Sequence, residues 1–87
     1  MALDKGKNSL KEFLNYLSQS LVKYPDDVEI SEKKLDDETF EFTLHVNQED
    51  MGRVIGRNGK TARALRLLVA AKGSLENKKT SVEIAED

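Results

Sequence analysis

The chain predicts a two-layer α+β sandwich: a three-stranded sheet with helices covering one face. Three observations lead there. Two segments carry apolar residues at helical spacing, and three others alternate apolar and polar residues at strand spacing. Each strand is apolar on one side only, so the sheet needs a helical layer over one face and can leave the other in water. At 87 residues the chain is long enough for one small domain with a thin core, burying about 60–65% of the surface that its unfolded form exposes.

Residues 1–8 read as a flexible leader, and residues 9–85 as the single domain. Ser9 and Glu12 have the spacing of a capping box, which starts a first helix. Leu10, Phe13, Leu14, Leu17 and Leu21 fall on one face of it. Tyr24-Pro25 ends the helix, because the residue before proline avoids helical angles. Val28 and Ile30 alternate with Glu29 and Ser31 in a first strand, and residues 35–38 form a turn. Phe40, Phe42, Leu44 and Val46 alternate with Glu41, Thr43 and His45 in the clearest strand of the chain. Asn47 caps a short helix that runs to about residue 53. A longer helix spans about residues 60–72, with Ala62, Leu65, Leu68 and Val69 facing the core and Gly73 as its C-terminal stop. Val82 and Ile84 flank Glu83 in a last strand. The predicted order is helix, strand, strand, short helix, long helix, strand.

Composition narrows the function. With no cysteine, neither a disulfide scaffold nor a thiolate metal site is possible. The first residues are charged and no apolar run follows them, which predicts no secretory signal, no membrane span and a cytoplasmic protein. The net charge is −2, unlike a general electrostatic binder of nucleic acid. Its distribution is uneven. Residues 47–73 hold six basic side chains against two acidic ones, a net of +4, which leaves −6 on the remainder.

Inside that basic segment runs Val54-Ile55-Gly56-Arg57-Asn58-Gly59-Lys60-Thr61-Ala62. It is a Gly-x-x-Gly turn with an apolar pair before it and a basic helix start after it. Glycine lets the backbone approach a ligand closely. A helix N-terminus directly after the second glycine presents unpaired N–H groups and a partial positive charge. The guest that fits is a phosphate. The turn is not a nucleotide P-loop, which needs a glycine where Val54 stands and a strand where the chain predicts a helix. The spacing of Gly52, Gly56 and Gly59 also misses the dinucleotide fingerprint. A bare helix–turn–helix corner would use glycine as well, but it has no need of two glycines flanking arginine and asparagine.

Lys60 and Arg63 continue the basic track along the long helix, while Arg66 alone reads as an ordinary solvated residue. Beside the track, Ala64, Leu67, Ala70 and Ala71 make a small apolar strip off the core face, suited to self-association as a homodimer. His45 is the only histidine, and it falls on the polar side of its strand. It has no partner for a metal site. No serine sits in a nucleophile context, and nothing defines an oxyanion site. The chain therefore predicts neither an enzyme nor a cofactor site. The open face of the sheet carries Glu29, Glu41, Thr43, His45 and Glu83. It lacks the aromatic platform on which an RNA-recognition motif stacks bases.

The segment from Ile55 to Arg66 resembles the signature of KH domains, and the element order matches their type II form. The run Gly-Lys-Thr-Ala-Arg-Ala-Leu-Arg in so short a chain resembles the small stand-alone bacterial KH proteins of the KhpA type, over nearly the whole chain after the leader. One departure is Ala62, where the KH pattern usually has a branched apolar residue, so the groove is expected to be shallower. The resemblance implies binding of about four nucleotides of single-stranded RNA. Gly56, Arg57, Asn58 and Gly59 would contact the backbone. Val54, Ile55 and Leu65 would line or support a groove for bases, and Arg53, Lys60 and Arg63 would steer phosphates. It also implies an RNA chaperone that pairs with a larger KH protein of the KhpB or Jag type and is linked to cell elongation, cell shape and cell-wall (peptidoglycan) homeostasis. The competing expectation is a protein-interaction module with a vestigial RNA site, using Leu67, Ala70 and Ala71 as its surface.

Overall fold

The computed structural model describes residues 9–86, so the expected leader lies outside it. Alternation in the chain produces its central strand, β2 (Thr39–His45), in which Phe40, Phe42 and Leu44 are buried and the residues between them are half-exposed. β1 (Glu29–Asp36) pairs with β2 antiparallel, and β3 (Lys79–Ile84) pairs with the other side of β2 in parallel. The sheet order is β1-β2-β3. Adjacent parallel strands need a long crossover. Here it is supplied by α2 (Met51–Ile55) and α3 (Lys60–Leu75). With α1 (Ser9–Leu21) these helices form the second layer of the α+β sandwich. Leu10 and Leu14 of α1, Val54 of α2, and Leu65 and Val69 of α3 meet Phe40, Phe42, Leu44 and Val82 of the sheet in one core.

Several expected details are corrected. β1 runs to Asp36, and the turn proper is only Asp37-Glu38. Pairing with β2 carries the strand through Ser31–Leu35, all exposed, so no apolar pattern marks it. Asp36 Oδ1 accepts the Glu38 N–H at 2.8 Å and steadies that turn. The short helix is split. Asn47 Oδ1 accepts the Glu49 N–H at 2.8 Å and caps a 3₁₀ turn (Gln48–Asp50), and α2 follows it. Leu21 is exposed at the end of α1, and Val22, beyond the helix, packs against the core instead.

α3 does not stop at Gly73. It continues to Leu75, and Asn77 takes the left-handed conformation (φ 60°) that ends it. The Asn77 N–H donates to the Ser74 carbonyl and the Lys78 N–H to the Gly73 carbonyl, the bond pair of a Schellman motif. Gly73 serves a different purpose. A Cβ there would lie 2.9 Å from Thr80 Cγ2 and 3.1 Å from the Lys78 carbonyl oxygen, so its absence lets α3 close against the start of β3. Leu68, expected in the core, is 46% exposed. The buried stripe of α3 is Ala62, Leu65, Val69 and Gly73, and Leu68 lies on its outer flank.

Candidate nucleic-acid interface

The two glycines do different jobs. Gly56 ends α2, with its N–H donated to the Gly52 carbonyl at 2.8 Å. Its backbone (φ 77°, ψ 173°) is one that only glycine adopts freely. A Cβ at Gly56 would collide with Thr61 Oγ1 and lie 2.8 Å from the Thr61 backbone nitrogen. The chain can turn into α3 this tightly only without a side chain there. Asn58 (φ 56°) and Gly59 (φ 74°) then take two left-handed steps. Asparagine tolerates that region better than most residues. Nothing lies within 4 Å of a Cβ built on Gly59. The first glycine is therefore enforced by packing, and the second opens the backbone to its surroundings.

Arg57 and Asn58 project from the turn as exposed residues, and Lys60 and Arg63 are exposed on the first turn of α3. Among the described residues no side chain caps α3, whose N-cap position is Gly59. A sixteen-residue helix thus points the positive end of its dipole at the same spot as these three cations, although the Gly59 and Lys60 N–H groups are already donated to the Gly56 and Arg57 carbonyls. Val54 and Leu65 belong to the buried core and can support this surface without forming it, while Ile55 is half-buried.

Arg53, expected to steer phosphate, is half committed elsewhere. Its Nε lies 3.4 Å from Oδ1 of Asp50. Asp50 is fully buried. Its carboxylate accepts the backbone N–H of Lys23 at 2.9 Å and of Tyr24 at 3.0 Å. Nothing local in the sequence marks this role, because both partners lie far back in the chain.

Arg66 is also not an idle surface residue. Its Nε donates to the Val82 carbonyl at 3.0 Å. β3 is an edge strand, and the parity of its bonds to β2 turns the polar backbone groups of Thr80, Val82 and Ile84 outward. Arg66, Leu67 and Ala70 of α3 face that edge across an open groove of about 380 Å³, floored by Thr80 to Glu83. The available clue was angular: Arg66 and Ala70 flank the buried stripe of α3 on the side of Gly73. The apolar strip is also wider than expected. Leu67 (64% exposed), Leu68, Ala64, Ala71 and Leu75 (86% exposed) run along the outer side of α3. His45 is half-buried on β2. Among the described residues no cluster of acidic, histidine or cysteine side chains could hold a metal, and no helix is long and apolar enough to cross a membrane.

A sandwich of this topology with a Gly-x-x-Gly corner between two helices defines a KH domain of type II form. The family model described as the KhpA/KhpB KH domain matches residues 11–84, and the chain belongs to that family. It is 44% identical over 75 residues to a protein of Clostridium perfringens named RNA-binding protein KhpA, covering 86% of this chain and 99% of that one. A protein of the same name from Listeria monocytogenes is 42% identical over 77 residues, covering 88% and 100%. Another from Chlamydia caviae is 38% identical over 78 residues, covering 90% and 99%. Among solved structures, Aquifex aeolicus Era superimposes with a TM-score of 0.66 at 11% identity, over 91% of this chain and 31% of Era. That likeness concerns the fold alone. The family is a binding family and not an enzymatic one.

Proposed function

We propose that this protein binds single-stranded RNA, holding about four nucleotides with the backbone clamped at Gly56–Gly59. The observation that carries this reading is the left-handed pair Asn58-Gly59 directly before an uncapped helix N-terminus. It leaves open backbone at Gly59 and the positive end of α3 beside Arg57, Lys60 and Arg63. Their charges steer phosphates, and Arg53 contributes less because Asp50 already holds it. Bases would lie in the groove beside Arg66, where the outward backbone groups of β3 offer donors and acceptors. The small number of contacts implies modest affinity, which suits an RNA chaperone. A cytoplasmic setting, pairing with a larger KH protein of the KhpB or Jag type, and a part in cell elongation and cell-wall homeostasis follow from the family resemblance. A tethered second site would raise the affinity of so small a footprint.

Titration of a labelled single-stranded RNA with the wild type and with an Arg57→Asp, Asn58→Asp double variant tests the clamp. The wild type should bind, and neutralising about three phosphates should give a slope of log K against log salt near −2. The variant should stay folded and lose binding. Equal binding by both would refute the reading. The exposed leucines of α3 favour a second, competing reading, self-association through Leu67, Ala70 and Ala71, which would cover the groove because Leu67 and Ala70 also line it. Leu67→Asp should then sediment at half the wild-type mass, and an unchanged mass would refute the dimer.

A further inference from the structure

We infer that Asp50 is the positioning residue of the RNA site: its buried carboxylate fixes α2, and with it the Gly-x-x-Gly turn, against the α1–β1 connector. The inference rests on the RNA-binding reading above. It starts from an unusual choice by the side chain. Asp50 occupies the N-cap position of α2, where aspartate normally accepts a hydrogen bond from its own helix. Here it makes no such bond. Both oxygens turn back to the connector and take the N–H groups of Lys23 and Tyr24.

α2 has only five residues, about 7.5 Å of helix, far below the length at which a helix holds itself together. Only Val54 of α2 is buried. Val54 and Ile55 anchor its last turn on the core, so the placement of its first turn depends on what grips Asp50 and its neighbours. Two further contacts join the same two segments: Asn47 Nδ2 donates to Asp27 Oδ2 at 2.9 Å, and Tyr24 Oη donates to Glu49 Oε1 at 3.4 Å. Within the second segment Arg53 pairs with Asp50. One and a half turns later the chain reaches Gly56. A tilt at the first turn of α2 is thus carried directly into the phosphate clamp.

A positioning role and a bystander role differ in sign. Asp50→Asn preserves shape and removes one negative charge from a chain of net charge −2. If charge alone mattered, affinity for RNA would rise. If Asp50 positions the turn, affinity falls, because the asparagine amide cannot accept both N–H groups. The experiment compares wild type, Asp50→Asn and Leu10→Ala by fluorescence anisotropy with a labelled single-stranded RNA, at a temperature where circular dichroism shows each folded. Leu10 is buried beside Gly73, towards the far end of α3, and controls for lost stability. Asp50→Asn should weaken binding about fivefold or more, the low end of coupling between linked sites. Its Gly56 and Gly59 amide resonances should move. Leu10→Ala should change neither. Binding by Asp50→Asn as tight as wild type, or an equal loss in Leu10→Ala, overturns the inference. If Asp50→Asn does not fold, Asn47→Ala cuts the Asp27 tether and the Glu49 cap and is read the same way. If the wild type itself fails to bind, the RNA reading falls, and the glycine resonances still decide whether Asp50 sets the turn.

Discussion

Alanine at Gly56 and alanine at Gly59 should behave as different mutations, although both remove a glycine from one motif. At Gly56 the new Cβ would collide with Thr61 Oγ1 and meet Thr61 Cβ at 2.7 Å and the Thr61 nitrogen at 2.8 Å. The last of these is backbone at the start of α3 and cannot rotate away. The glycine-only conformation adds roughly 1–3 kcal/mol of strain before any clash is counted. At Gly59 nothing lies within 4 Å, so the cost is the left-handed preference of about 1–2 kcal/mol. Stiffening of the unfolded chain offsets about 0.4–1 kcal/mol of either penalty. Gly59→Ala should therefore destabilise by about 1 kcal/mol, within a range of about 0–1.6 kcal/mol, a Tm loss of roughly 4–8 °C for a domain of this size. Gly56→Ala should lose at least twice that. Thr61→Ala should restore only part of the Gly56→Ala loss, since its Cβ and nitrogen stay in place. Urea and thermal unfolding followed by circular dichroism measure all three. RNA affinity should show the opposite order among variants that remain folded, with Gly59→Ala losing more binding than its stability explains. The reasoning is refuted if Gly56→Ala is no less stable than Gly59→Ala.

Ser18 is fully buried, and among the described residues its hydroxyl has no hydrogen-bond partner. Ser18→Ala should raise stability by about 1 kcal/mol, seen as a higher urea midpoint with unchanged slope. Gly73→Ala should destabilise despite alanine's better helix propensity, because its Cβ would press on Thr80 and the Lys78 carbonyl. A rise in Tm would refute the close approach of α3 and β3. Partial burial alone would raise the Glu76 carboxyl. Hydrogen bonds from Lys72 and Ser9, with the charges of Lys72 and Lys78, outweigh it and hold the group below its ordinary 4.5. Its stabilising effect is therefore complete above pH 4.5 and is lost as pH falls through the lowered value. Glu76→Gln should be less stable at neutral pH by under about 1 kcal/mol, and the gap should close on acidification. A gap independent of pH would refute the assignment.

The parts of the fold legible in the sequence are those where one residue's surroundings follow from its neighbours. Phe40, Phe42 and Leu44 announced β2, and the two glycines with Lys60 announced the corner. What stayed hidden depends on partners distant in the chain. Ser31 to Leu35 extend β1 only because β2 lies beside them. Gly73 looked like a helix stop, when its real constraint comes from Thr80. Leu68 carries the same apolar side chain as Leu65, and only the angle at which α3 meets the sheet separates them. Arg66 and Asp50 belong to the same group, since each is defined by a backbone atom on a different element.

The rigid corner also bears on how this protein can vary. Gly56 is locked by Thr61, and position 58 is confined to residues that accept a left-handed backbone. Arg57 has neither restriction: it is exposed and has a negative φ. On the RNA-binding reading proposed above, substitutions at this one position should alter charge or reach at the clamp while leaving stability almost untouched. Ligand preference and foldedness can thus drift independently here, and a saturation library at position 57 would explore the first without eroding the second.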